Sequence, residues 1–65
     1  MIFYRVAIDQ TYRQERMTWT ENVLTLERAS CIVKRFDESD GVAENDTERI
    51  IHSISITREY LRDDK

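Results

Sequence analysis

"ERIIHSISITREYL", Glu48 to Leu61, decides the fold. It holds four isoleucines and the chain's single histidine, and it reads in two ways. As a helix, Ile50, Ile51, Ile54 and Leu61 make a stripe, with Thr47 as the cap. As a strand, Ile50, Ile54, Ile56 and Tyr60 share a face with His52, while Ile51, Ser53, Ser55, Thr57 and Glu59 share the other. Ile56 belongs to the strand face and falls off the helical stripe. From Ile50 to Thr57, isoleucine, serine and threonine fill every position but His52, a composition that is costly in a helix and suits a pleated strand. Residues 48–60 therefore read as a strand.

Working back along the chain, "TLERASCIVKRFDE" (residues 25–38) changes period. Leu26, Ala29, Ile32, Val33 and Phe36 recur at spacings of three and four, the core stripe of a helix. Thr25 is placed as its N-cap, Glu27 sits near the positive end of the dipole, and Leu24 is placed to staple onto Ala29. Gly41 supplies a stop. Cys31 falls off the stripe and is expected at the surface. The first residues alternate instead: Ile2, Tyr4, Val6 and Ile8 on one face, Phe3, Arg5, Ala7 and Asp9 on the other. After a polar turn at residues 10–14, "ERMTWTEN" alternates again, with Met17 and Trp19 together. The order is β-β-α-β. A right-handed crossover returns the last strand beside the first, antiparallel to it, so the first strand is central. The predicted fold class is a small two-layer α+β domain, with a three-stranded antiparallel or mixed sheet and one helix on one face.

That architecture leaves one sheet face uncovered. Phe3, Arg5, Ala7, Asp9, Arg16, Thr18, Thr20, Ile51, Ser53, Ser55 and Thr57 are assigned to it. It is a flat surface of small hydroxyl residues on which Phe3 and Ile51 have no intramolecular partner.

The totals agree with a contact role. Sixty-five residues make one small domain, here 1–65, with an acidic loop at about 37–48 and a short polar tail at 62–65. A chain of this size buries little surface and leans on disulfides, metals or partners. One cysteine excludes an internal disulfide, and one histidine far from it makes no metal-ligand spacing. No apolar run approaches the length of a membrane span, and the apolar start is too short and too soon charged for a signal peptide. The expectation is a cytoplasmic protein with a free thiol, no cofactor and no small-molecule substrate. Net charge is −3, yet "DESDGVAENDTE" (residues 37–48) alone holds six acids and no base. The rest of the chain is mildly basic.

Catalysis has no constellation behind it. As a general base His52 would need an orienting acid and a nucleophile, but it falls on the predicted apolar face and reads as a hydrogen-bonded core or edge histidine, and no cationic cluster or histidine is placed to activate Cys31. An EF-hand alignment on Gly41 puts Phe36 at the first ligand position and Thr47 where a bidentate glutamate belongs, so the acidic tract fails as a calcium loop. Arg5, Arg13, Arg16, Arg49 and Arg58 beside Phe3, Tyr4, Tyr12 and Trp19 evoke single-strand nucleic-acid binding on an open sheet. The negative net charge and the inward alternation of Tyr4 and Trp19 disfavour it.

The β-β-α-β order with a lone helix and an acidic tract resembles that of small phage-encoded inhibitors of host machinery, among them inhibitors of bacterial RNA polymerase. The resemblance lies in element order across most of the chain. It implies a non-enzymatic regulatory or accessory protein, of phage or mobile-element type, that binds and modulates a host protein. A nucleic-acid-binding module and a homodimeric structural protein are the alternatives. The partner-binding candidates are Phe3, Arg5, Ile51, Ser53 and Ser55 on the open face, and Asp37, Glu38, Asp40, Glu44 and Asp46 in the acidic tract.

Overall fold

A computed structural model of the chain describes residues 1–44 and 47–62, with Asp46 and the tail 63–65 outside them. Ile2–Tyr12 form β1, Glu15–Val23 β2, Leu26–Glu38 α1, Ala43–Glu44 β3 and Thr47–Tyr60 β4. The sheet order is β2-β1-β4-β3, and every neighbouring pair is antiparallel. The α+β fold, the central first strand and the strand reading of residues 48–60 are those expected from the sequence. The two-residue β3 is an addition.

β1 and β2 meet in a two-residue turn, Arg13 and Gln14, with φ of 56° and 65°. Two successive positive φ values define the type I′ turn, whose twist matches that of the flanking strands. β1 thus continues three residues, Gln10 to Tyr12, into the segment that polarity alone reads as a turn. Its even-numbered side chains face α1. Val6, Ile8 and Ala29 are fully buried, and Tyr4, Trp19, Val23, Ile32, Val33, Phe36, Ile51 and Ile54 pack around them. Alanine at position 29 lets the helix backbone approach β1. Trp19 lies on Phe36, ring centroids 5.0 Å apart.

The N-cap is Thr25, whose Oγ1 accepts from the Arg28 N–H at 3.2 Å. Leu24 does not staple onto Ala29. It extends the alternation of β2 onto the opposite sheet face and is 63% exposed. Ala29 lies between helix and sheet, on the side Leu24 has left. Leu26 is exposed as well, so the working stripe runs from Ala29 to Phe36. At the other end, the Ser39 hydroxyl donates to the Phe36 carbonyl at 2.8 Å and the Ser39 N–H caps the last turn. Arg49 of β4 reaches Ser39 Oγ at 3.4 Å and lies between the rings of Tyr12 and Phe36, 4.7 and 5.2 Å from their centroids.

The acidic tract is not one loop. Asp37 and Glu38 belong to the last turn of α1, Ala43 and Glu44 form β3, and Thr47 and Glu48 open β4. The strand and helix extend into it because local pairing satisfies the backbone there.

The largest departure from the alternation is a β-bulge in β4. Asp9 pairs with Ser53, but Gln10 pairs with Ile51, so His52 is an extra residue. A bulge of one residue reverses the facing of everything on one side of it. Ser53, Ser55 and Thr57 keep the predicted face. Ile51 turns into the core, Ile50 turns out of it and is 45% exposed, and His52 leaves the apolar face. The placement of Ile51 on the open face is therefore corrected, and so is that of Ile50 and His52 on the helix side. Two contacts hold the bulge. The Ile51 N–H donates to Asp40 Oδ1 at 2.9 Å, and His52 Nε2 lies 2.6 Å from Thr11 Oγ1. Next to Asp40, the Gly41 N–H donates to the Arg49 carbonyl at 2.7 Å, from a backbone with φ of 75° that favours glycine.

Candidate functional site: the open sheet face

The face turned away from α1 is built by the odd residues of β1 and their cross-strand partners. Arg5 stands between Asn22 and Thr57, Ala7 between Thr20 and Ser55, Asp9 between Thr18 and Ser53. Phe3 pairs with Glu59. Of the residues assigned to this face from sequence, Phe3, Arg5, Ser53 and Ser55 are brought together here, whereas Ile51 is in the core.

Each charged strand residue that faces the floor of this surface has an opposite charge beside it. Arg16 grips Asp9 through two bonds, Nη2 to Oδ2 at 2.8 Å and Nε to Oδ1 at 3.2 Å. Arg5 donates to Asn22 Oδ1 at 3.3 Å and meets Glu59 Oε1 at 3.5 Å. The Arg16 hydrogen bonds hold the Asp9 carboxyl below its ordinary range, with the positive charges of Arg16 and His52 adding to the effect and desolvation opposing it. Asp9 raises the Arg16 guanidinium in return. The centre of the face is thereby self-neutralised, and Ala7, Thr18, Thr20, Ser55 and Thr57 leave it low and flat.

The apolar part lies at one end, and it is larger than Phe3. Met1 and Leu61 are tied by two backbone contacts, Leu61 N–H to the Met1 carbonyl at 2.8 Å and the Met1 amino group to the Leu61 carbonyl at 3.2 Å. Register then brings Met1, Phe3, Leu24 and Leu61 to the same side of the sheet. With Asn22 and Val23 they line a hollow of about 320 Å³. Met1, Leu24 and Leu61 are each more than half exposed. Sequence reading missed these three. The signal for Leu24 was present, since it continues the alternation of β2, but it was assigned to the helix staple instead.

The acidic candidates do not converge on this face. Asp37 and Glu38 are exposed on α1, and the Asp40 carboxylate is engaged by the Ile51 amide. Glu44 lies in β3, and Asp46 is outside the described residues.

Chemically, the face can bind but holds little with which to react. Thr11 and His52 form a hydroxyl–imidazole pair at an exposed site, and the carboxylate nearest them in register, Asp9, has both oxygens committed to Arg16. A general base needs an orienting partner and a sheltered nucleophile. A nucleic-acid platform needs free stacking rings. Tyr4 and Trp19 pack against the core, Arg49 is sandwiched by Tyr12 and Phe36, and Arg5 and Arg16 are paired with carboxylates. Among the described residues no group of three or more His, Cys, Asp or Glu is placed to hold a metal ion, and no helix is long and apolar enough to cross a membrane. No family model, no curated protein and no solved structure matches the chain.

Proposed function

We propose that this chain is a non-enzymatic interaction module that binds a protein partner through its open sheet face and acts by occupying the partner's surface. The observation that carries the reading is the hollow of Met1, Phe3, Leu24 and Leu61 beside a self-neutralised floor. An apolar side chain of leucine or phenylalanine size fits a hollow of about 320 Å³ as an anchor. The flat floor of alanine, serine and threonine lets the surrounding partner surface come close without leaving a buried charge unpaired. A small protein that works this way regulates its target by covering it, the accessory role suggested by the likeness to phage-encoded inhibitors.

The experiment is a pull-down from bacterial lysate with wild-type chain and with Phe3→Glu, each with and without nuclease. A protein captured by the wild type, retained after nuclease and lost in a folded Phe3→Glu variant supports the proposal. Capture that vanishes on nuclease treatment favours the nucleic-acid alternative. Capture unaffected by Phe3→Glu removes the open face from the interaction.

A further inference from the structure

Beyond that face, β2 forms one edge of the sheet, and its geometry is self-complementary. The two-residue turn closes on a hydrogen-bonded pair, Tyr12 with Glu15. Antiparallel bonding alternates from there, so the odd residues of β2 bond to β1. Arg16, Thr18, Thr20 and Asn22 are left with N–H and C=O groups pointing away from the sheet. Residues on the far side of β4 bear out the same alternation: Arg49 and Ile51, which it leaves outward, are those bonded by Gly41 and Asp40.

We propose that two copies of the chain associate through β2, antiparallel and edge to edge about a twofold axis at Trp19, forming one continuous sheet. In this register Glu15–Val23 overlaps its copy over the full length of the strand. Arg16 meets Asn22 of the copy and Thr18 meets Thr20, so all four outward residues on each strand exchange both backbone bonds. Met17 lies opposite Glu21, and Glu15 opposite Val23. No like charges face each other, which is the usual bar to edge pairing. Trp19, only partly buried in the single chain, meets Trp19 of the copy at the close-approach position of the ladder. Beside this edge runs a cleft of about 450 Å³ between β2 and α1. Its charged lining, Glu21, Glu27, Arg28 and Arg35, carries no net charge, so two such clefts can face each other across the axis.

Surface area supports the same step. The chain measures 51 × 21 × 16 Å and exposes 5360 Å². A compact monomer of its mass exposes about 4,400 Å². The difference of about 1,000 Å² is of the size that one partner buries in a standard interface. The other edge is less suited. Ile54, Ile56, Arg58 and Tyr60 of β4 also point their backbone groups outward, but Asp40 and Gly41 already occupy that edge at Arg49 and Ile51 and stop a full-length overlap.

Sedimentation over a concentration series, amide exchange and the fluorescence of Trp19, the only tryptophan, test the proposal. A wild-type dimer is expected, with the amides of Arg16, Thr18, Thr20 and Asn22 protected, their protection lost on dilution and the Trp19 emission shifting to the red with it. Thr18→Pro removes an outward N–H that β1 does not use and obstructs the edge, so it should be a monomer with the β1–β4 amides still protected. If that variant does not fold, the double variant Thr18→Lys/Thr20→Lys reads the same contact by placing lysines opposite lysines. A wild type that stays monomeric at about 1 mM overturns the proposal. So does a dimer whose four β2 amides exchange freely, or one that survives in a folded Thr18→Pro. Phe3→Glu lies off this edge and should leave the dimer intact, which separates failure here from failure of the open-face reading.

Discussion

The two faces of the sheet are built to opposite specifications. Under α1, Val6, Ile8 and Ala29 are sealed, Trp19 packs against Phe36 with the rings tilted, and Gln10 is the exception, the one buried polar side chain among the described residues. On the open side every described strand charge at the floor sits beside its opposite, and the apolar residues are displaced to one end. Folding stability therefore belongs to the covered face, while the open face is free to be chosen for contact. A chain of 65 residues with three sealed apolar side chains among the described residues has little margin, so the contrast should be visible in single substitutions.

The largest effect is expected from Phe36→Ala, which removes the ring that packs on Trp19 and supports Arg49. A loss of about 3–5 kcal/mol is predicted, enough to unfold the monomer in thermal or urea titration. Phe3→Glu on the opposite face should cost about 1 kcal/mol, since Phe3 is only partly buried and the new carboxylate faces Glu59 across the ladder. Equal losses from the two would erase the distinction between the faces.

Gln10 sharpens it from the other direction. Its Oε1 is buried without a hydrogen-bond donor among the described residues. Gln10→Met keeps the volume and removes the unmet acceptor, so the chain should gain about 1 kcal/mol in urea unfolding. A destabilised variant would show that the amide is satisfied by a group beyond those contacts.

Deletion of His52 should be tolerated within about 1 kcal/mol, because Ile51 and Ser53 then continue an unbroken ladder opposite Gln10 and Asp9. Ile51 should stay in the core, as methyl chemical shifts would report. If the deletion instead exposes Ile51, the bulge is not what sets the two faces of β4.

The smallest effect is a pH dependence on the open face. Because Arg16 depresses the Asp9 pKa in the fold, the pair contributes stability above the unfolded-state pKa and loses it as pH falls through the folded value. Both groups are exposed, so the slope should be shallow and screened by salt. Urea midpoints of wild type and Asp9→Asn should converge as the pH is lowered through that range. Parallel curves would mean that the two bonds are not kept in solution.

Much of this architecture was legible in the chain. Period two in residues 2–9 and 16–20, and period three to four from Ala29 to Phe36, are local consequences of how side chains project from a strand and a helix, so they need no tertiary information. Right-handed crossover then placed the last strand beside the first. What alternation could not supply was which of Ile50 and Ile51 enters the core. The two are adjacent, identical and equally apolar, so hydrophobicity has no preference between them. The choice rests on one extra residue, His52, accommodated by its contact with Thr11 and by the Asp40 carboxylate, eleven positions upstream of Ile51, which takes the Ile51 N–H. Only the folded chain brings those groups together. The same holds for the hollow of the open face, where residues from the two ends of the described chain, Met1 and Leu61, become neighbours of Leu24. Local sequence determines how each segment repeats. The register between segments, and with it the identity of the residues each face presents, is decided by contacts between groups far apart along the chain.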